Sequence, residues 1–243
     1  MNTSPLLENH DVPLILLGGT LCNGRLWQPL IEQLNVAHYS CVTLSGGDSA
    51  HALAKQLLEV LPPRFCLAGF SLGAMVALEM VAQAPQRIAG LALLSVNPLR
   101  DLPGNASSRR AAIKEAASEG ITPWLTKNMW AKYVAPHRLD DAALHQKVVQ
   151  MAEECGLDVF ASQTEVAISR DDHRAALAAF TAPILIINGA YDVICTPQHH
   201  QAAAAAAPQS RWLTLPESGH FLPLESPQLV AIALRNWIQE SAL

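Results

Sequence analysis

Six short apolar runs recur along the chain: PLILLG (13–18), YSCVTL (39–44), FCLAGF (65–70), AGLALLS (89–95), PILIING (183–189) and RWLTL (211–215). Each has strand length. Most lack the apolar–polar alternation of a strand with one face in water, which is the pattern of parallel strands buried on both faces. Helix-like segments fall at 25–35, 50–61, 71–84 and 226–240. Strand and helix in alternation predict an α/β fold with a doubly wound, mostly parallel sheet. Only the interval 97–181 breaks the rhythm. It has no convincing strand, is rich in Ala, Glu, Lys and Arg, and is punctuated by Pro123 and Pro136 into about four short helices. It reads as an all-helical cap inserted between two late strands, with 1–96 and 182–243 forming the core. The alanine run 202–207 is expected to be plain helix, alanine being the best helix former.

With 243 residues, 50% of them hydrophobic and 15% charged, the chain has enough apolar material for one sizeable globular core. A net charge of −5 without a basic block argues against nucleic acid or an anionic membrane as partner. No signal peptide or membrane span is read. The expected partner is a small-molecule substrate, with monomer and homodimer both open. The five cysteines (Cys22, Cys41, Cys66, Cys155, Cys195) are odd in number and form no C-x-x-C pair. They suggest neither a disulfide framework nor a zinc site, and they fit a reducing, cytoplasmic compartment.

Gly69-Phe70-Ser71-Leu72-Gly73 is a G-x-S-x-G with a strand before it and a helix after it. That context is what a nucleophile elbow requires: a turn too tight for side chains beside the serine, with the hydroxyl held above the sheet. A hydroxyl needs a base to take its proton, and the base needs an orienting acid. In this architecture they follow in the order serine, acid, histidine, on loops after later strands. Asp192 lies three residues past PILIING, and His220 follows the last strand. Asp171 and Asp172 read as solvated caps in the helical insertion. His173 reads as part of a charged surface run, RDDHR, and His199 and His200 as members of the alanine-rich helix away from the site. An oxyanion requires two donors. The amide of Leu72 is one, and Thr20, after the glycine pair of LLGGTLCNGRLW, supplies the other.

LLGGTLCNGRLW, AGFSLGAMVAL, PILIINGAYDVICTP and SGHFLPLESP together resemble the α/β-hydrolase family, over nearly the whole length, in its small single-domain form with a helical cap. The resemblance implies ester hydrolysis through an acyl-enzyme, with Ser71, Asp192 and His220 at the triad positions. Leu72 and Thr20 fall at the oxyanion positions, and no metal or organic cofactor is implied. Two departures stand out. Gly18-Gly19 replaces the His-Gly that relatives usually carry after the first core strand, so that loop must be braced otherwise. The antiparallel hairpin with which relatives often begin is expected to be absent, and the loop SGGDSA is shorter than usual.

A serine nucleophile disfavours the carboxylate chemistry of dehalogenases and epoxide hydrolases. Ester hydrolysis is the default, with thioester hydrolysis, carbon–carbon bond hydrolysis, perhydrolysis and a receptor-like protein of slow turnover as alternatives. Trp124, Met129, Trp130, Met151 and Phe160 are the cap's bulky apolar residues and the candidate walls of an acyl pocket. The interval 97–181 holds 10 Lys and Arg against 11 Asp and Glu. Against the acidic chain as a whole, that slight basic bias would suit an anionic acyl group.

Overall fold

The structure, a computed structural model, describes residues 12–34 and 36–241. The expected absence of a hairpin before the first strand concerns residues that lie outside this range. The first half alternates strand and helix: β1 (Leu14–Leu17), α1 (Gln28–Leu34), β2 (Tyr39–Val42), α2 (Ala50–Val60), β3 (Phe65–Phe70), α3 (Leu72–Gln83) and β4 (Ile88–Leu94). Five helices follow without a strand: α4 (Asn105–Glu119), α5 (Ile121–Asn128), α6 (Trp130–Tyr133), α7 (Ala142–Ser169) and α8 (Arg174–Ala179). The chain then returns through β5 (Ile184–Gly189), α9 (Pro197–Ala206), β6 (Arg211–Leu215), α10 (Leu222–Glu225) and α11 (Pro227–Ser241).

The six strands form one sheet in the order β2-β1-β3-β4-β5-β6, and every pairing is parallel. All residues of β1, β3, β4 and β5 are buried, because helices cover both faces. Alternate side chains serve opposite layers. Leu14 and Leu16 join the core packed under α1 and α11, whereas Ile15 and Leu17 join the one packed under α2 and α3. The outer strands differ from expectation. Tyr39 and Ser40 in β2 and Arg211 and Trp212 in β6 are exposed, since an edge strand has a neighbour on one side only.

Helix boundaries follow local chemistry. Ser49 Oγ accepts from the Ala52 amide at 3.2 Å and caps α2, and Asp141 Oδ1 accepts from the Leu144 amide at 2.9 Å and caps α7. The strandless interval holds five helices rather than about four. Its longest, α7, is broken at Gly156, where φ 78 and ψ 176 interrupt the helix. The half after the break is tied to the loop between β2 and α2 by Ser162 Oγ donating to the Gly47 carbonyl at 2.6 Å. Among the described residues no helix is long and apolar enough to cross a membrane.

Candidate active site

The parallel sheet brings the ends of β1, β3, β4, β5 and β6 to one edge, and the loops leaving them meet there. The turn after β3 is the tightest. A Cβ on Gly69 would collide with the carbonyl oxygen of Gly73, and one on Gly73 with the carbonyl oxygen of Leu17. Between them Ser71 adopts φ 52, ψ −113, with its amide donating to the Leu94 carbonyl at 2.9 Å. Three non-glycine residues have positive φ among those described: Leu21, Ser71 and Ser95, at φ 55, 52 and 49. All three lie in the loops after β1, β3 and β4, on this one edge. A backbone held there costs on the order of 1–3 kcal/mol per residue, so the surroundings must impose it.

The structure brings Ser71, His220 and Asp192 together. His220 Nε2 lies 3.0 Å from Ser71 Oγ, and His220 Nδ1 lies 2.9 and 3.0 Å from the two oxygens of Asp192. His220 and Asp192 are buried. Asp192 Oδ1 also accepts from the Ile194 and Cys195 amides, each at 2.9 Å. Burial alone would raise the Asp192 carboxyl. The charge and hydrogen bond of His220, the Cys195 amide and the Ser95 hydroxyl outweigh it and hold the group below its ordinary value. An ionised carboxylate on Nδ1 fixes the tautomer with a bare Nε2, the atom that faces the serine.

The histidine loop is held from three sides. Ser95 Oγ donates to the His220 carbonyl at 2.9 Å. Glu225 takes the Ala135 amide on Oε2 at 2.7 Å, and the Gly219 amide at 3.0 and 3.1 Å from its two oxygens. Phe70 packs on the His220 ring at a centroid distance of 5.2 Å.

Above Ser71 opens a cavity of about 530 Å³. Thr20 and Leu72, the two oxyanion candidates, line it with Ser71 and His220. Leu72 opens α3, where an amide has no intrahelical acceptor. Among the candidate walls, Trp124, Met129 and Phe160 line the cavity, with Trp124 and Phe160 in contact at 5.2 Å between ring centroids. Trp130 and Met151 do not. Trp130 donates Nε1 to the Leu139 carbonyl at 3.0 Å and packs edge-on against His145, and Met151 is fully buried in the apolar cluster under the helices. Both turn toward the interior of the helical layer, so their assignment to the pocket is corrected.

Other residues read from the sequence take different places. His173 is buried, with Nε2 at 2.8 Å from Glu79 Oε2; it is no surface residue, because Glu79 on α3 is itself buried and needs a counter-group. That hydrogen-bonding partner, against the opposing effect of burial, pulls the Glu79 carboxyl down to about 2. Asp172 is solvated and paired with Arg174. His200 is fully buried, its Nε2 accepting from the Val96 amide at 3.1 Å and its Nδ1 3.0 Å from the Thr196 carbonyl. Five further basic residues of the helical interval are paired: Arg109 and Arg170 converge on Asp101, Arg110 pairs with Glu165, Lys127 with Glu119 and Arg138 with Asp141.

Sequence reasoning missed Gln163. Its Oε1 accepts from the Leu21 amide at 2.7 Å, its Nε2 donates to the Leu44 carbonyl at 2.9 Å, and it lines the cavity. The signal was available as a helical stripe: Phe160, Gln163, Thr164 and Ala167 share one face of α7, and a glutamine on a buried face needs partners. Asp192, Cys195 and His220 are the one group among the described residues whose potential metal-ligand atoms lie within 4.8 Å of one another. Burial first, then the Asp192 charge, push the Cys195 thiol well above its ordinary value, whereas a metal ligand must be thiolate. Asp192 and His220 already bond each other, so these donors do not suit a metal ion.

The alpha/beta hydrolase fold family model matches residues 47–227, about three quarters of the chain, and the protein belongs to that family. The chain is 26% identical over 246 residues to the pimeloyl-[acyl-carrier protein] methyl ester esterase of Xanthomonas campestris pv. campestris, covering 94% of this chain and 96% of that protein. It is 24% identical to the biotin biosynthesis bifunctional protein BioHC of Teredinibacter turnerae, of whose length it spans 45%. In structure it superposes with a TM-score of 0.85 on a thermophilic esterase from Thermogutta terrifontis, at 23% identity, covering 96% of this chain and 91% of that one.

Proposed function

We propose that the protein is a serine hydrolase of small carboxylic esters. The observation that carries this reading is the unbroken chain Ser71 Oγ to His220 Nε2 at 3.0 Å and His220 Nδ1 to Asp192 at 2.9 Å, at the base of a cavity. In the first half-reaction Ser71 Oγ attacks the ester carbonyl carbon as its proton passes to His220 Nε2. The negative charge that develops on the carbonyl oxygen is met by the amides of Leu72 and Thr20. Collapse of the adduct breaks the bond to the alkoxy group, which leaves with the proton from Nε2. Water then repeats the sequence on the acyl-enzyme, with His220 again as base, and regenerates the Ser71 hydroxyl. Asp192 keeps its charge throughout and stabilises the imidazolium. The esterase names of the relatives support this bond type, and a cavity of about 530 Å³ suits a small acyl group.

The test is covalent labelling joined to turnover. A fluorophosphonate probe is expected to label the protein once, at Ser71, and p-nitrophenyl esters are expected to give a burst of p-nitrophenol equal to the enzyme concentration. Both disappear in Ser71→Ala. Labelling that persists in that variant removes the central assignment. A parallel panel of thioesters and diketones decides the bond type, and labelling without turnover on any of them would identify a receptor-like protein.

A further inference from the structure

The loop after β1 carries Thr20, whose carbonyl accepts from Cys22 Sγ at 3.3 Å within the loop, and Gly18-Gly19 stands where relatives usually have His-Gly. Leu21, the next residue, is held at φ 55, a left-handed conformation that leucine does not choose. Its amide points to a group 142 residues away in sequence: Gln163 Oε1, at 2.7 Å. The other end of the same amide group donates to Leu44, in the segment leaving β2, at 2.9 Å. Gln163 is only 1% exposed, so neither bond competes with bulk water. It belongs to the half of α7 that Ser162 fastens to Gly47. One side chain thus joins three pieces: the loop of Thr20, the exit of β2 and a helix that lines the cavity.

We infer that Gln163 is the positioning residue of the oxyanion hole, setting the Thr20 amide by holding the Leu21 backbone in its left-handed state. The inference rests on the reading of Ser71 as nucleophile and of Thr20 as an oxyanion donor. Gln163 acts through the backbone. Its loss lets the loop relax and moves a donor whose value lies in the transition state rather than in substrate binding. A displacement well below 1 Å suffices to weaken such a contact. The expected signature is a fall in kcat with KM nearly unchanged.

Two variants test it on the intact protein, with Ser71→Ala as reference. Gln163→Met keeps length and loses both hydrogen bonds. Its kcat for a p-nitrophenyl ester should fall roughly 10- to 100-fold, with KM within about 3-fold of wild type. Affinity for a trifluoromethyl ketone, which forms an oxyanion on reaction with serine, should fall in step with kcat. Gln163→Glu separates positioning from packing. Protonated, its carboxyl can accept from Leu21 and donate to Leu44 as glutamine does; ionised, it opposes the Leu44 carbonyl. Its kcat relative to wild type at the same pH should therefore rise as pH falls from 8 to 5. Wild-type kcat in Gln163→Met overturns the inference. So does a Gln163→Glu ratio flat with pH, or a loss of kcat that leaves ketone affinity intact. If Gln163→Met does not fold, the Gln163→Glu ratio decides alone. Turnover surviving in Ser71→Ala would instead refute the underlying reading of the site, so the two failures are distinct.

Discussion

Ser71, Asp192 and His220 stand one, three and five residues beyond the ends of β3, β5 and β6, whereas Trp124, Met129, Trp130, Met151 and Phe160 are scattered over the helices between β4 and β5. The first set converges completely. Of the second, three line the cavity and two do not. A parallel sheet delivers all its strand ends to one edge, so a residue just past a strand has its location fixed by topology before any side chain is considered. A helical layer gives no such guarantee. Each residue turns the helix face by about 100°, and an apolar side chain on it records that something will cover it, not what. Trp124 and Trp130 are alike in type and near in sequence, yet one lines the cavity and the other packs within its own layer.

The largest effect expected on the sheet edge is that of Asp192→Asn. The Ile194 and Cys195 amides can still bond the asparagine oxygen, so the fold should persist. The side-chain NH₂ would then face His220 Nδ1 and force the tautomer whose Nε2 carries the proton, leaving nothing to accept from Ser71. A loss of roughly 10³ to 10⁴ in kcat is expected, read by steady-state kinetics beside an unchanged circular dichroism spectrum. Near-wild-type turnover would show that topology alone had misidentified the acid.

Next come the two tryptophans. Trp130→Ala should lower stability by about 3 to 5 kcal/mol and leave the acyl-length profile of kcat/KM untouched. Trp124→Ala should shift that profile toward bulkier acyl groups, because the wall it removes borders the cavity. Chemical denaturation and a C2-to-C8 ester series separate the two. If the variants exchanged behaviours, the division between lining and packing would be broken.

The smallest effect concerns His200, a buried histidine outside the Ser71–His220–Asp192 chain. Burial, against the pull of Asp192, lowers its imidazole to about 4. A depressed folded value means that the unfolded chain binds the proton first. The contribution is therefore fully present above the ordinary value near 6.5 and is lost as pH falls from 6.5 toward 4. About 2 to 3 kcal/mol of stability should disappear in that window. His200→Gln can keep both hydrogen bonds without titrating, and its urea midpoint should fall less between pH 7 and 4.5 than that of wild type. Equal acid sensitivity would mean that other groups govern stability at low pH.

The meeting of Ser71, Asp192 and His220 at one edge was legible because each belongs to a local pattern: glycines on both sides of a serine, and polar residues a few positions after apolar runs. The outer strands were read as buried like the rest, since Tyr39 and Trp212 look as apolar as any core residue and only the strand order makes them edges. His173 looked like surface because its neighbours in sequence are charged, while Glu79, which determines its burial, lies on another helix. Gln163 could be suspected from its helical stripe. Its partner Leu21, 142 residues away along the chain, could not be read from one sequence. Local rules reached the groups that would do chemistry and stopped at those that hold them.

The three left-handed residues carry a consequence for anyone seeking a hardier variant. Glycine would ordinarily relieve a positive φ, so substitution to glycine is the obvious way to remove such strain. It is open at none of these positions. Leu21 fills the apolar cluster beneath the sheet edge, Ser71 supplies the hydroxyl, and Ser95 holds the His220 carbonyl. At each, the side chain that makes the position useful is the one glycine lacks. A directed search for thermal tolerance would do better to leave this rim alone and draw its improvements from the exposed faces of the helices.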